Sequence, residues 1–326
     1  MNTLLRKALL LLVSISVSST LVAGDASPAR VWLERMSSAM SRMSYQGTFV
    51  YVRDGVVETM RITHVADKSG VRERLFSISG PRREVIRDQD GVRCVLEDSA
   101  DAVEDPVVVN SFFPELPISV IDGENSGYLL EMGGQARIAG QLARRVSILP
   151  VDGYRYGYDF WLQEQTGLLL KWALFGAKHR FLAKLMFTNF VMGDVVDLAE
   201  LESDTAAEDF VELKTFKSQK AQLAQADPRW QPKNLPPGYL LESHSTTSGA
   251  HGQSEHLVYS DGLAAVSVYV EPGSDAQPPL QGSSHIGTNN AYSRQAGGLQ
   301  ITVIGEVPAL TVKTIAQGMA SAVASN

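Results

Sequence analysis

The chain has 326 residues, 44% hydrophobic and 20% charged, with 27 glycines and 14 prolines. That is enough apolar material for two globular cores, and it excludes a disordered chain. A formal charge of −7 argues against nucleic acid as a partner.

Residues 1–24 read as a secretory signal peptide. Arg6 and Lys7 precede the apolar run ALLLLVSISV, and Val22 and Gly24 suit the positions before a cut at Asp25. The run is too short to span a bilayer, which takes ~20 residues. No Cys follows it, so no lipidated terminus is expected. Without this segment 27 bases face 36 acids, a net −9. The single cysteine, Cys94, sits in the strand-like GVRCVL and reads as a buried small hydrophobe; an internal disulfide is excluded.

Residues 27–43 predict an amphipathic helix: Ser27 caps, Pro28 takes the first turn, and Trp32, Leu33, Met36, Ala39, Met40 and Met43 line one side. From Tyr45 the period becomes that of strands. YQGTFVYV, VVETMRITHV, RERLFSIS, REVIRD and VRCVL are separated by RDG, DKSG, SGP and QDG, so a meander of antiparallel hairpins is expected. In the first of these, Tyr45, Phe49 and Tyr51 point one way and Thr48, Val50 and Val52 the other, leaving neither face purely polar. An acidic, proline-containing gap with Phe112 and Phe113 follows, with room for a short helix after it. More strands come next, in QARIAGQLARRVSILPV, YRYGYDFWLQ, GLLLKWALF and FLAKLMFTNFVMG, for roughly nine or ten in all. A sheet of this size must curl and cover its inner side.

Residues 194–209 hold seven acids and no base, whereas 214–233 hold five bases and one acid. This reversal predicts a linker over 206–229, with Lys214, Lys217, Lys220, Arg229 and nearby Tyr239 as candidate partner-binding residues; a plain solvated face fits equally well. Beyond it, strand-like segments and an Ala309–Val323 helix predict a small α/β domain over 230–326.

No catalytic constellation emerges. GQSEH lacks the second glycine of a nucleophile elbow, and there is no phosphate loop or dinucleotide fingerprint. His244, His251 and His256 lie in ESHSTTSGAHGQSEH, which reads as a Ser/Gly-rich loop, without the spacing of a metal motif. Neither an enzyme, a metal nor a cofactor is expected. Arg72, Arg74, Arg82, Arg83 and Arg87 lie in or beside strands; next to an apolar cavity they would suit an anionic amphiphile, and otherwise they are solvated.

SYQGTFVYVRDG, VRERLFSISGPRREVIRD, YRYGYDFWLQEQTGLLLKW, LPPGYLLES, VYSDGLAAVSVYVE and TVIGEVP, in this order over nearly the whole mature chain, resemble the RseB/MucB family of periplasmic regulators of the sigma-E envelope-stress response. The resemblance implies an α+β, mostly β protein: a large N-terminal LolA/LolB-like unclosed β-barrel with helices over 25–205, then a small C-terminal α/β domain. It implies a periplasmic protein that binds the periplasmic domain of a membrane-spanning anti-sigma factor, shields it from proteolysis and senses lipid or lipopolysaccharide; alginate production is under such control in some relatives. The cavity would be lined by Tyr45, Phe49, Tyr51, Phe112, Phe113, Trp161 and Trp172. A periplasmic carrier of lipids or lipoproteins is the alternative, and homodimerisation is left open.

Overall fold

The computed structural model describes residues 27–96, 113, 116–121, 126–203, 211–213, 228–249, 252–273 and 280–321. The expected signal peptide, Phe112, Lys214, Lys217, Lys220 and His251 lie outside them.

Helix α1 (Pro28–Arg42) begins where its cap predicts: Ser27 Oγ accepts from the Arg30 amide at 3.2 Å. Ten strands follow: β1 (Tyr45–Arg53), β2 (Val56–Asp67), β3 (Gly70–Ser79), β4 (Arg83–Arg87), β5 (Val92–Leu96), β6 (Tyr128–Ile138), β7 (Gln141–Pro150), β8 (Gly157–Gln163), β9 (Leu169–Phe175) and β10 (Phe181–Met192). A four-residue helix, α2 (Ile118–Ile121), falls between β5 and β6. The short β11 (Val211–Leu213) completes an eleven-stranded sheet in the order β11-β5-β4-β3-β2-β1-β10-β9-β8-β7-β6. Two meanders are thus joined by the antiparallel β1–β10 pair. Tight turns set the hairpins. Asp54 and Gly55 have φ of 52° and 79°, and Ala139 and Gly140 have 47° and 76°, the double left-handed geometry that matches strand twist.

The sheet stays open, since β11 and β6 are its two ends. It bends enough for α1 to touch β2 on one arm and β6 and β7 on the other. Leu33, Met36 and Ala39 of the helix join Phe49, Met60, Ile62, Leu162 and Phe187 in one core. Burial of this continuous apolar face is what holds helix and sheet together.

The second core belongs to another sheet. Strands β12 (Trp230–Pro232), β13 (Leu240–Gly249), β14 (Gly252–Ser260), β15 (Ala265–Pro272), β16 (Gly282–Ile286), β17 (Asn289–Ala296), β18 (Leu299–Gly305) and β19 (Met319–Ser321) flank helix α3 (Ala309–Gly318). Six of them form β13-β14-β15-β18-β17-β16, while β12 pairs with β19. Val268, Val303 and Ile301 pack against Val312 and Ile315 of α3.

Three segments differ from the sequence expectation. The histidine-containing stretch is two paired strands, β13 and β14, rather than a loop. Helix α3 ends at Gly318 instead of running to Val323. The Arg294 guanidinium donates to the carbonyls of Ala316 and Met319, both at 2.6 Å, and the chain leaves as β19. Gly318 sits against the backbone of Asn234, where a Cβ would lie 3.2 Å from the amide nitrogen. Finally, residues 211–213, expected in the linker, pair with β5 at the edge of the large sheet.

Candidate functional site

Cross-strand register decides which side chains share the inner face, the one turned toward α1. Tyr45 pairs with His64, Gly47 with Ile62, Phe49 with Met60 and Tyr51 with Glu58, so the aromatics of β1 look inward. Phe49 meets Phe187 and Phe113 edge-on at centroid distances of 5.5 and 5.8 Å. Tyr51 lies 6.0 Å from Trp172, which approaches Tyr158 at 6.3 Å, and Tyr158 stacks on Phe160. Gly47 makes this packing possible: a Cβ there would fall 2.7 Å from the Phe187 ring. Toward one end the face turns polar. His64 stacks under Tyr45 at 4.7 Å and pairs through Nδ1 with Glu73 at 2.9 Å. Burial first, and the nearby Glu73 second, push the Tyr45 phenol well above its ordinary pKa.

Tyr45, Phe49, Tyr51, Phe113 and Trp172 are therefore brought together. Trp161 is not. It follows inward-facing Phe160, so alternation turns it to the outer face, where Lys171 Nζ stands 3.9 Å above its ring. Phe112 lies outside the described residues.

The outer face of β1 is covered at its start. The chain returning after β10 forms a 3-10 turn, Leu198–Leu201, and the Asp197 amide donates to buried Gln46 Oε1 at 3.1 Å. Arg61 grips Glu200 bidentately at 2.9 Å, and Arg74 Nη1 reaches the Glu200 carbonyl. The arginines of this arm are engaged with protein groups. Arg72 pairs with Asp67 at 2.9 Å, Arg74 with Glu84 at 2.7 Å and Arg83 with Glu58 at 3.5 Å, and neither Arg82 nor Arg87 is free. An anion arriving there would have to displace carboxylates.

The two cores meet at a buried polar joint that composition gave no hint of. Arg155, between β7 and β8, has a fully buried side chain, and its Nε lies 3.1 Å from Oδ2 of Asp261, itself 2% exposed and in the β14–β15 turn. The N–H points off that line, so this is an ion pair and not a hydrogen bond. The guanidinium also donates to the Pro237 carbonyl and lies between the rings of Tyr128 and Tyr239, 5.3 and 5.2 Å from their centroids. Tyr128 donates to Asp261 Oδ2 at 2.9 Å. Asp261 Oδ1 accepts the amides of Leu263 and Ala264, so the carboxylate is satisfied on every side. Burial, followed by the Asp261 charge, raises the phenol pKa of both Tyr128 and Tyr239. Gly127 leaves the space for Arg155: a Cβ at that position would coincide with the guanidinium. Around this centre Thr311 Oγ1 donates to the Tyr154 carbonyl at 2.7 Å, and Asn290 donates to the Tyr156 hydroxyl at 3.0 Å.

Among the candidate partner-binding residues, Tyr239 is 2% exposed and faces this joint. Arg229 holds buried Glu255 at 2.8 Å within the second domain. Lys214, Lys217 and Lys220 lie outside the described residues. Sequence reasoning missed Arg155 and Asp261, although the signal was present: a lone cation inside the aromatic run YRYGY, and a carboxylate in the turn of VYSDGL. His244 and His256, neighbours in the same hairpin, face opposite sides, since His244 pairs with Leu257 and His256 with Ser245. Among the described residues no cluster able to hold a metal ion is found.

Comparison with known proteins agrees with this two-part architecture. The MucB/RseB N-terminal domain matches residues 28–207 and the MucB/RseB C-terminal domain matches 224–320. The sigma factor AlgU regulatory protein MucB of Pseudomonas aeruginosa is 33% identical over 317 residues, 94% of this chain and 95% of that one. The sigma-E factor regulatory protein RseB of Escherichia coli K12 is 25% identical over 318 residues, 95% and 94%. Among solved structures, the Pseudomonas aeruginosa MucA/MucB complex superposes with a TM-score of 0.70 at 29% identity, covering 91% of this chain and 99% of that one. With both halves matched in order and at nearly full length, this chain belongs to the MucB/RseB family.

Proposed function

We propose that the protein is a periplasmic regulatory binding protein. It binds the periplasmic part of a membrane-spanning anti-sigma factor, shields that segment from proteolysis, and loosens its grip when lipid or lipopolysaccharide occupies the inner face of the large sheet. The observation that carries this is the likeness, across both domains together, to MucB in complex with MucA(peri), with a TM-score of 0.70 and 91% of this chain covered. Such a score over both sheets requires similar placement of one relative to the other, not merely two similar folds.

The joint at Arg155 and Asp261 supports a partner that reads both domains as one surface, because a buried ion pair fixes orientation. The inner face supports the lipid arm. Its middle is aromatic and aliphatic, and each methylene transferred there contributes roughly 0.8 kcal/mol before the costs of association. If lipid and peptide prefer different placements of the domains, each weakens the other by the same factor. The protein acts in this scheme by binding and not by catalysis.

The test is a pull-down of the periplasmic segment of the cognate anti-sigma factor, with and without lipopolysaccharide. Recovery only in its absence is expected. Recovery that lipopolysaccharide leaves unchanged removes the lipid arm, and no recovery in either condition removes the proposal. Reversing Lys214, Lys217 and Lys220 to Glu is expected to weaken capture; unchanged capture excludes that segment.

A further inference from the structure

Three hairpin tips, two from the large sheet and one from the six-stranded sheet, converge where the two domains meet, on the solvent side of the Tyr156–Asn290 contact. They are the β1–β2 turn at Asp54 and Gly55, the β9–β10 turn leading into Phe181, and the β16–β17 turn at Gly287. All three line one cleft of about 590 Å³, within the range of small-ligand sites. The tips are close enough that a Cβ on Gly287 would lie 2.8 Å from Asp54 Oδ2.

These tips carry large apolar side chains in the open. Val56, Val57 and Phe181 are 59%, 58% and 53% exposed, and Ile286 is 81% exposed. Arg61, Arg72, Arg74, Arg83, Arg93 and Arg144 each hold a carboxylate. At the tips, Arg53 is matched by Asp54 and Glu306, at 4.0 and 3.8 Å. His179 is held by buried Asp159 at 2.9 Å. Lys178, Arg180 and Lys184 remain exposed without a carboxylate partner among the described residues. In a chain of net charge −7, an unneutralised trio of cations beside protruding apolar side chains is a local inversion of the global charge.

We propose that the surface formed by these tips is a peripheral docking surface for an anionic phospholipid bilayer. Cations near a bilayer surface are drawn to lipid phosphates, and apolar side chains at the same height enter the interface. Arg180, Lys184 and His285 border the cleft, so it can admit a phosphate head group between the tips. The apolar groups stand on turns that project outward, which suits a membrane better than an acidic peptide, whose contacts would need a groove lined along its length. This surface is separate from the inner face, where an acyl chain would be taken up, and does not depend on the anti-sigma proposal.

The test is co-sedimentation of the purified protein with vesicles of phosphatidylcholine alone and with phosphatidylglycerol added. Binding is expected only with phosphatidylglycerol, and it should fall as salt rises. Lys178→Ala, Arg180→Ala and Lys184→Ala should each weaken it about fivefold, and together about a hundredfold; Phe181→Ala with Ile286→Ala should weaken it further. None of these residues is buried, so the unfolding transition of the variants should match the parent. Uptake of a fluorescent fatty acid should be unchanged in the triple variant. Equal binding to both vesicle types, a triple variant that still sediments, or loss of fatty-acid uptake alongside docking overturns the proposal. So does binding of polyglutamate by a protein that ignores the vesicles.

Discussion

The inner face of the large sheet and the joint between the domains are both buried, yet they are built on opposite physics. On the inner face Phe49, Phe187, Leu185 and Ile62 are at most 1% exposed and are held by contact area, which is non-directional and can be re-formed with a guest. At the joint, Arg155 and Asp261 are held by charge and hydrogen-bond direction, and every acceptor of Asp261 is used. A surface of the first kind can exchange partners. A joint of the second kind fixes one geometry and makes leaving it expensive.

The most severe way to break this division is to remove one charge and leave the other buried. Asp261→Ala leaves the buried Arg155 guanidinium only the partly exposed Asp152, 3.6 Å away, and a loss of about 3 kcal/mol is expected, read as a lowered midpoint in chemical denaturation. Phe49→Ala attacks the other region. It should cost about 3 kcal/mol, at the low end for a buried phenylalanine, because Phe113 and Phe187 beside it can settle into part of the space. The informative contrast is in capture of the anti-sigma segment: Asp261→Ala should lose it even in conditions where the protein stays folded, whereas Phe49→Ala should change lipid response first.

Replacing both charges sharpens the point. Arg155→Met with Asp261→Leu leaves no buried ion unpaired, since Asp152, the other carboxylate beside Arg155, is partly exposed, and apolar replacements of a buried pair are often neutral or stabilising. Stability above that of Asp261→Ala is expected, short of the parent by about 1–3 kcal/mol because the Tyr128 hydroxyl and the Leu263 and Ala264 amides lose their acceptor. Small-angle scattering should nevertheless show a wider spread of domain placements, because directional contacts have been exchanged for slippery ones. A double variant as unstable as Asp261→Ala would mean that the joint matters for its packing and not for its charge.

How much of this was legible in the sequence follows the same division. The hairpins could be read because a two-residue turn such as Asp54-Gly55 carries its own requirement for left-handed backbone, and alternation in β1 placed Tyr45, Phe49 and Tyr51 on one face. Trp161 was misplaced among the cavity residues because Phe160 and Trp161 are adjacent aromatics. Only the register of β8 with β9, which sets Phe160 opposite Trp172 and Trp161 opposite Lys171, decides which turns inward. The joint was illegible for a different reason. Arg155, Tyr128, Tyr239 and Asp261 come from four separated stretches, and no local pattern links a lone arginine to a distant turn aspartate. Charge runs drew attention to the linker instead, whereas the cation that joins the domains sits in a run of tyrosines.

The smallest expected effect lies outside both regions and calibrates them. His256 is half-buried against Tyr269, the rings parallel at 4.4 Å, and its Nε2 has no hydrogen-bond partner. Burial lowers its pKa below the ordinary 6.5, so the folded state binds a proton less readily than the unfolded chain. The unfolded state then holds more protons in the window just below 6.5, and stability must rise with pH across it. Above that window the imidazole is neutral in both states and the dependence vanishes. His256→Phe keeps the ring stack and removes the titration. The difference in unfolding free energy between His256→Phe and the parent should therefore widen as pH falls through 6.5 and stay constant above it. A constant difference at every pH would show that the stack with Tyr269 tolerates the charged imidazolium.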